Sequence, residues 1–326
     1  MNKILNEIKS LLVLILAILF LKETVVELYI VPTSSMERNI LKGDMLIGSR
    51  YVYGIQIPQK VWIPFTSKSI PTFLPNYRLP AFKSVERGDV VVFEYPRDGV
   101  YKYVKRCIGL PGETISIVDR EVFIDDQLIP LPQNAQFLDF KAQDSNVNDN
   151  NIFLKRGNKD NLTAIKIPQK GDILEISLAM DWEYIFPLLL YEGNVVELIN
   201  EDFDLQLSFT NSSPMDIYRR TGDVSIFKNY VPSKGAKLIN PWSEMFKENY
   251  LQYIYINGIP LQEFGTYQLN QNYYWMMGDN RDNSEDSRFW GFVPEDKILG
   301  QPVITWFSLD LDSYKPRLSR IGKIPN

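Results

Sequence analysis

Three short stretches of this chain concentrate the residue types that can do chemistry. The first is Pro32-Thr33-Ser34-Ser35-Met36, three hydroxyls between a proline and an apolar side chain. The second runs from Tyr101-Lys102-Tyr103-Val104-Lys105-Arg106-Cys107-Ile108 into the turn Gly109-Leu110-Pro111-Gly112. The third, Gly278-Asp-Asn-Arg-Asp-Asn-Ser-Glu-Asp-Ser-Arg288 and on to Pro294, is mostly charged or amide-bearing. A serine hydroxyl is a weak nucleophile until a base takes its proton. The 326 residues include no histidine and only one cysteine, Cys107. That excludes Ser-His-Asp and Cys-His catalysis and every His-ligated metal site. It also excludes an intrachain disulfide and a Cys-rich zinc site. Any enzymatic proton transfer in this chain must use a carboxylate, a lysine or a tyrosine.

Taken one at a time, the stretches leave alternatives open. Hydroxyls after a proline equally suit a turn or a helix cap. On a strand, Tyr101, Tyr103, Lys105 and Cys107 share one face, which gives Lys105 the less polar neighbours. To act as a base near neutrality a lysine must come down from about 10.4 by roughly three units, about 4 kcal/mol of differential desolvation. An ordinary exposed strand lysine is the plain alternative. Cys107 reads as a small core residue, with no histidine to activate it. The third stretch lies between apolar Tyr273-Tyr-Trp-Met-Met277 and Phe289-Trp-Gly-Phe-Val293, so it reads as an internally hydrogen-bonded polar turn. It lacks the spacing and final Glu of a calcium loop, and neither metal nor cofactor is expected.

Several elements must position these residues. The apolar run Leu11–Leu21 resumes at Val25, and Ile8 to Val31 is predicted to form one uncleaved membrane anchor with Lys22, Glu23 and Glu27 near its outer boundary. Lys3 and Lys9, ahead of the apolar run that starts at Leu11, favour a cytoplasmic N-terminus and an external body. Beyond the anchor the chain reads as strands: Asp89–Glu94, Tyr101–Ile108, Thr114–Val118 and Glu121–Asp125 are β-branched, aromatic and bounded by turns. Helical patterns are scarce. The segment Gly54–Ser84 alternates prolines with aromatics, as either a packed loop or one dipping into lipid. Residues 144–151 are polar, and Tyr253-Ile-Tyr-Ile-Asn-Gly-Ile-Pro-Leu261 echoes Glu121-Val-Phe-Ile-Asp-Asp-Gln-Leu-Ile-Pro-Leu131. The length fits two domains or one with a large insertion. The expected division is an anchor over 1–31, a core from 32–129 and 256–326, and a β-rich unit of unread role inserted at 130–255. A net charge of −5 gives no pull toward nucleic acid.

In this order, the motifs resemble those of bacterial type I signal peptidases. The shared segments are Pro32–Met36 after the anchor, Gly43-Asp44-Met45-Leu46, Arg87-Gly88-Asp89-Val90, Lys105-Arg106 leading to Gly109-Leu-Pro-Gly-Glu113, the long Gly278–Pro294 motif, and Arg317–Gly322. The resemblance implies a mainly β, antiparallel-sheet catalytic core preceded by one transmembrane helix. It implies a serine endopeptidase of the plasma membrane that removes signal peptides, with small residues at −1 and −3, through an acyl-enzyme. Membrane lipid is the other implied partner. It places the nucleophile on Ser35, the general base on Lys105, and the oxyanion donors on Thr33 and the Ser35 backbone N–H. It puts the lysine-orienting serine at Ser284 and supporting ion pairs at Asp286–Arg288 and Asp279–Arg106. Met36 and Val31 fall in the pocket for a small residue. The chain departs from many members at Glu37-Arg38-Asn39-Ile40, where they carry x-Pro-Thr-Leu. The competing readings are an inactive membrane-tethered β-scaffold and a self-cleaving Ser-Lys repressor.

Overall fold

The computed structural model describes residues 2–57, 60–62, 69–71, 77–97, 101–200, 205–209 and 248–326. Runs of β-branched and aromatic residues set up its central sheet, because such side chains pack well on a pleated, buried surface. Strands β5 (Val90–Glu94) and β6 (Lys102–Gly109) pair antiparallel, with Val91 opposite Lys105 and Val90 opposite Arg106. They lie in a seven-stranded sheet of order β1 (Val26–Ile30), β2 (Asp44–Ser49), β20 (Ile298–Ser308), β5, β6, β18 (Tyr273–Met277), β19 (Val293–Pro294). Early and late segments of the sequence are thereby brought into one surface. Residues of β5 point alternately into two clusters: Val90 and Val92 join Val31, Met36, Ile40 and Leu46, while Val91 and Phe93 join Tyr95, Cys107, Met276 and Trp290. A strand buried on both faces reads as an unbroken apolar run, as this one does.

A second, five-stranded sheet has the order β10 (Gly157–Asn158), β11 (Asn161–Lys166), β7 (Thr114–Val118), β8 (Glu121–Ile124), β9 (Gln127–Ile129). Strands β14 (Leu205–Phe209), β13 (Val196–Asn200), β15 (Ile254–Ile256) and β16 (Ile259–Pro260) form a third. Two pairs complete the set, β12 (Ile173–Glu175) with β17 (Thr266–Gln268) and β3 (Lys60–Trp62) with β4 (Ser69–Pro71). The echo in the sequence is a repeated hairpin. Asp125 and Asp126 turn β8 into β9 at φ 49° and 63°, and Asn257 and Gly258 turn β15 into β16 at 52° and 78°. Two consecutive positive φ values are the two-residue turn that matches strand twist, hence Asp, Asn and Gly there. Of the Gly54–Ser84 segment, residues 58–59, 63–68 and 72–76 lie outside the described residues. Within the rest, Tyr77 and Phe82 are exposed.

The N-terminal expectation needs correction. Helix α1 covers Asn2–Thr24, and the chain then changes period from 3.6 to 2. Val26–Ile30 is sheet, not the outer turn of a span through Val31, and it pairs with β2 from Val26↔Ser49 to Ile30↔Met45. Glu27, expected at a membrane boundary, instead sits in that sheet, 3.2 Å from Arg50 and paired with Lys102. Among the described residues no helix is long and apolar enough to cross a membrane. Leu11, Val13, Leu14, Ile15, Ile18, Phe20 and Leu21 of α1 are exposed. A helix not expected from the sequence, α2 (Trp182–Tyr191), starts at Asp181, whose side chain accepts from the Tyr184 backbone N–H. It tolerates Pro187 inside and buries Ile185, Phe186 and Leu188–Tyr191. The proline is what hid it, since proline normally ends a helical pattern.

Phe93 is fully buried between Tyr103 and Trp290, with ring centroids 6.3 and 5.8 Å away. Removing it leaves a cavity as well as losing apolar burial. Phe93→Ala is expected to cost about 3–5 kcal/mol, read as a lower unfolding midpoint in denaturant; an unchanged midpoint would contradict this packing.

Candidate active site

The segment carrying Ser35 leaves β1 and turns at once. Val31 is still held by the strand geometry, donating to the Asp44 carbonyl at 2.9 Å and accepting from Gly43 N–H at 2.8 Å. Glu37 N–H closes on the Ser34 carbonyl at 3.0 Å, and Ile40 N–H on that of Met36 at 2.8 Å. Met36 and Ile40 anchor the turn in the core with Leu46 and Val92. This fixes the backbone and leaves Ser35 buried but Thr33 exposed. The Thr33 hydroxyl lies 3.5 Å from that of Ser35.

Strand β6 brings Lys105 to the same point. Its Nζ lies 2.6 Å from Ser35 Oγ and 5.4 Å from the centroid of the Tyr103 ring, two residues back on the same face. Lys105 is 4% exposed. Burial lowers its pKa from the usual lysine value to about 8, even though the charges of Asp286, Glu285 and Asp279 act to raise it. Burial wins because the two nearest buried carboxylates are already committed. Asp286 holds Arg288 through two bonds of 2.9 Å and also accepts from Gly278 N–H at 3.0 Å. Burial by itself would raise the Asp286 carboxyl, but Arg288 and these bonds hold it below the usual range. Asp279 takes both arms of Arg106 at 2.7 Å. The Arg106 guanidinium is fixed in turn by the carbonyls of Gly88 and Asn326 at 2.7 and 2.8 Å.

Residues 278–288 also grip the serine segment directly. Asn280 N–H donates to the Ser35 carbonyl at 3.0 Å, and its side-chain amide donates to the Ser34 carbonyl and Glu37. Asn283 donates to the Ser34 hydroxyl at 2.6 Å. Asp279 N–H points at the Met36 sulfur, 3.4 Å away. On the outer side Asp282 accepts from the backbone of Leu138 and Asp139 and pairs with Lys159 at 2.6 Å. Sequence reasoning singled out this polar stretch without giving Asn280, Asn283 or Asp282 a role. The available signal was that an amide can donate to one strand and accept from another, as a clasp between two segments needs. Ser284 is buried at the same place, where its hydroxyl helps hold the Asp286 carboxyl low.

The expected residues therefore converge. Thr33, Ser35 and Lys105 form a chain of hydroxyl, hydroxyl and amine with Ser35 in the middle, and the Asp279–Arg106 and Asp286–Arg288 pairs lie close by. Val31 and Met36 flank Ser35 in sequence and are buried. Cys107 lies two residues beyond Lys105 but is fully buried in the apolar cluster, and burial pushes its thiol pKa up, away from the thiolate. A serine hydroxyl in contact with an amine that titrates near pH 8 is suited to nucleophilic attack on an acyl carbon, with the amine as general base.

The chain is also similar to known proteins. The sequence model of the family described as signal peptidase, peptidase S26, matches residues 4–172 and 237–307. A signal peptidase I of Buchnera aphidicola subsp. Acyrthosiphon pisum is 28% identical over 98% of this chain and 82% of its own length. One from Aquifex aeolicus is 23% identical over 95% of this chain and 87% of its own. A solved structure of a signal peptidase I from Enterococcus faecalis V583 covers 67% of this chain and 97% of its own, at 16% identity and a TM-score of 0.23.

Gly278 is where the two halves of the site touch. A Cβ there would come within 2.1 Å of Ser284 Oγ and 2.6 Å of the Ser35 carbonyl. The carbonyl cannot retreat without moving Ser35. Gly278→Ala is expected to cost about 1–3 kcal/mol of overpacking, lowering the melting midpoint by roughly 2–4 °C per kcal/mol. A midpoint equal to that of the parent would show that the contact is looser than described.

Proposed function

The chain belongs to the signal peptidase family, peptidase S26, and from that premise we propose that it cuts one peptide bond at the end of a signal peptide, with Ser35 as nucleophile and Lys105 as general base. The observation that carries this reading is the 2.6 Å contact between Lys105 Nζ and Ser35 Oγ, with the amine buried. Lys105 takes the hydroxyl proton as Ser35 attacks the carbonyl carbon. The same amine, now charged, returns the proton to the leaving nitrogen. The negative charge that the attack places on the carbonyl oxygen, lost again when the carbonyl reforms and the C–N bond breaks, is met by the exposed Thr33 hydroxyl and the Ser35 backbone N–H, each such donor being worth about 2.7–4 kcal/mol. Water next enters the acyl-enzyme, and Lys105 repeats its role.

Supporting roles follow from position. Arg106 and Arg288 hold Asp279 and Asp286 away from Lys105, which keeps the amine free to lose its proton. Ser284, buried at the same place, is the serine proposed to orient that amine. Met36 and Val31, buried in the apolar cluster beside Ser35, are proposed to bound a subsite for a small residue at −1, with a small residue also at −3. Strand β1 is an edge of the seven-stranded sheet, so an extended peptide can add along it.

Tethering to a membrane is part of the same proposal. Although no described helix is long and apolar enough to cross a membrane, the described apolar side chains of α1 are exposed, and that helix is the segment proposed to hold the protein at a bilayer. The few charges place the N-terminus on the cytoplasmic side and the body outside. An inserted unit is proposed within 130–255, at the 173–236 gap between the two matched segments, since β11 before that gap pairs with β7 of the core.

The test is cleavage of a peptide with an Ala-x-Ala boundary by the detergent-solubilised protein, the cut located by mass. Ser35→Ala and Lys105→Ala are each expected to lower the rate at least a thousandfold; a variant of either cutting at the parental rate would refute the dyad. Only the neutral amine accepts a proton, so kcat/KM is expected to rise with pH through a midpoint near 8. A rising limb at the usual carboxylate pKa instead would assign the base to another residue.

A further inference from the structure

Arg281 follows directly after the asparagine that clasps Ser35, yet none of the roles above uses it. It is 2% exposed, one of the largest fully buried side chains. Its Nη1 meets only the Met277 sulfur, a weak acceptor, at 3.9 Å, and its Nε has no partner. The carboxylates nearest in charge, Asp286 and Asp279, are occupied by Arg288 and Arg106. Burial, with Arg288 beside it, lowers the Arg281 pKa to about 10. A buried cation without a counter-ion is costly, so the arrangement calls for an anion.

Arg281 lines a cavity of about 340 Å³, bounded by Ile108, Val122, Ile129, Leu131 and Phe137. Arg120 also lines it but is spent on the carbonyls of Asp139 and Lys141 and lies 3.4 Å from Asp160. Asp119 and Glu121 are exposed members of the lining, at the rim. One buried arginine without a paired carboxylate, a second whose Nε makes no hydrogen bond but lies beside Asp160, apolar walls and two exposed carboxylates suit a single negative charge on an apolar body and disfavour a dianion. At about 30 Å³ per atom the space holds roughly ten non-hydrogen atoms.

We infer that this cavity binds the carboxylate end of an apolar chain, with the carboxylate on the open edge of the Arg281 guanidinium, a geometry arginine serves with two parallel bonds. A medium-chain fatty acid and the free C-terminus of an apolar peptide share that chemistry. The site is separate from Ser35 and does not depend on the proposed cleavage reaction.

The experiment titrates carboxyl-labelled octanoate into the full-length protein in lipid nanodiscs and follows the carboxyl carbon resonance, with protein-free nanodiscs as blank. Saturable binding is expected, weakened at least tenfold by Arg281→Gln, with octanol competing at least tenfold more weakly than unlabelled octanoate. Leu131→Trp, on the cavity wall, is expected to abolish binding while retaining peptide cleavage, which separates failure here from failure of the peptidase reading. If Arg281→Gln does not fold, the octanol and Leu131→Trp arms still decide. Displacement by acetyl-Leu-Leu but not by its amide identifies a peptide terminus as the source; failure of both to displace identifies the fatty acid. Binding no stronger than the blank, octanol competing as well as octanoate, or unaltered binding to Leu131→Trp would overturn the inference.

Discussion

A single amine held out of water governs this structure. Moving Lys105 from 10.5 to about 8 corresponds to about 3 kcal/mol at about 1.36 kcal/mol per unit. The cost falls on the folded state. An unfolded lysine keeps its proton up to about 10.4, so below pH 8 the protein bears the full penalty, which fades as pH rises toward the unfolded value. The seven-stranded sheet must supply that stability from elsewhere. It does so with apolar clusters on both faces of β5, next to the strand that carries the lysine.

Keeping the amine neutral near pH 8 also requires that no nearby carboxylate claim it, and this explains the density of charge in residues 278–288. Arg106 and Arg288 are there less for strength than for occupancy. Buried ion pairs contribute little net stability once desolvation is counted, whereas removing one partner leaves an uncompensated charge. Loss of either arginine would free a carboxylate to raise the Lys105 pKa. The loop therefore has to be polar, yet sealed between Tyr273–Met277 and Trp290–Phe292. Its backbone is satisfied internally and through the serine segment, as with Asn280 N–H on the Ser35 carbonyl.

Much of this was legible in the amino-acid sequence. Val90–Glu94, Lys102–Gly109, Thr114–Val118 and Glu121–Ile124 appear as strands where β-branched runs end in turn residues. The face shared by Tyr103, Lys105 and Cys107 also follows from the two-residue period. Other features depended on long-range pairing that local pattern does not encode. Val26, Leu28 and Ile30 look like a continuation of the apolar helix, and only the partner strand β2 shows that they alternate. Pro187 concealed α2, which is stabilised by tertiary burial against a local penalty. At the site, Ser35 and Lys105 were pointed to by the resemblance of their motifs rather than by residue type alone, and their side chains lie 2.6 Å apart. The clasping amides of Asn280 and Asn283 became visible only when the loop and the serine segment lay side by side.

The corrected helix boundary sharpens the geometry of tethering. Val25 alone separates α1 from β1, and its N–H still closes on the Leu21 carbonyl at 2.8 Å. With α1 in the bilayer, as proposed, the strand leading to Ser35 starts at the membrane face with no intervening linker. The ten residues from Val26 to Ser35 reach at most about 33–36 Å when extended, and the turn after Val31 shortens that path. Val26, Leu28 and Ile30 expose their side chains along it, an apolar strip on the strand that leads to Ser35, the proposed nucleophile. A peptide leaving its own membrane segment would meet the reactive hydroxyl without a search through bulk solvent. The short junction thus does for encounter what the buried amine does for reaction: each removes a degree of freedom before the substrate arrives.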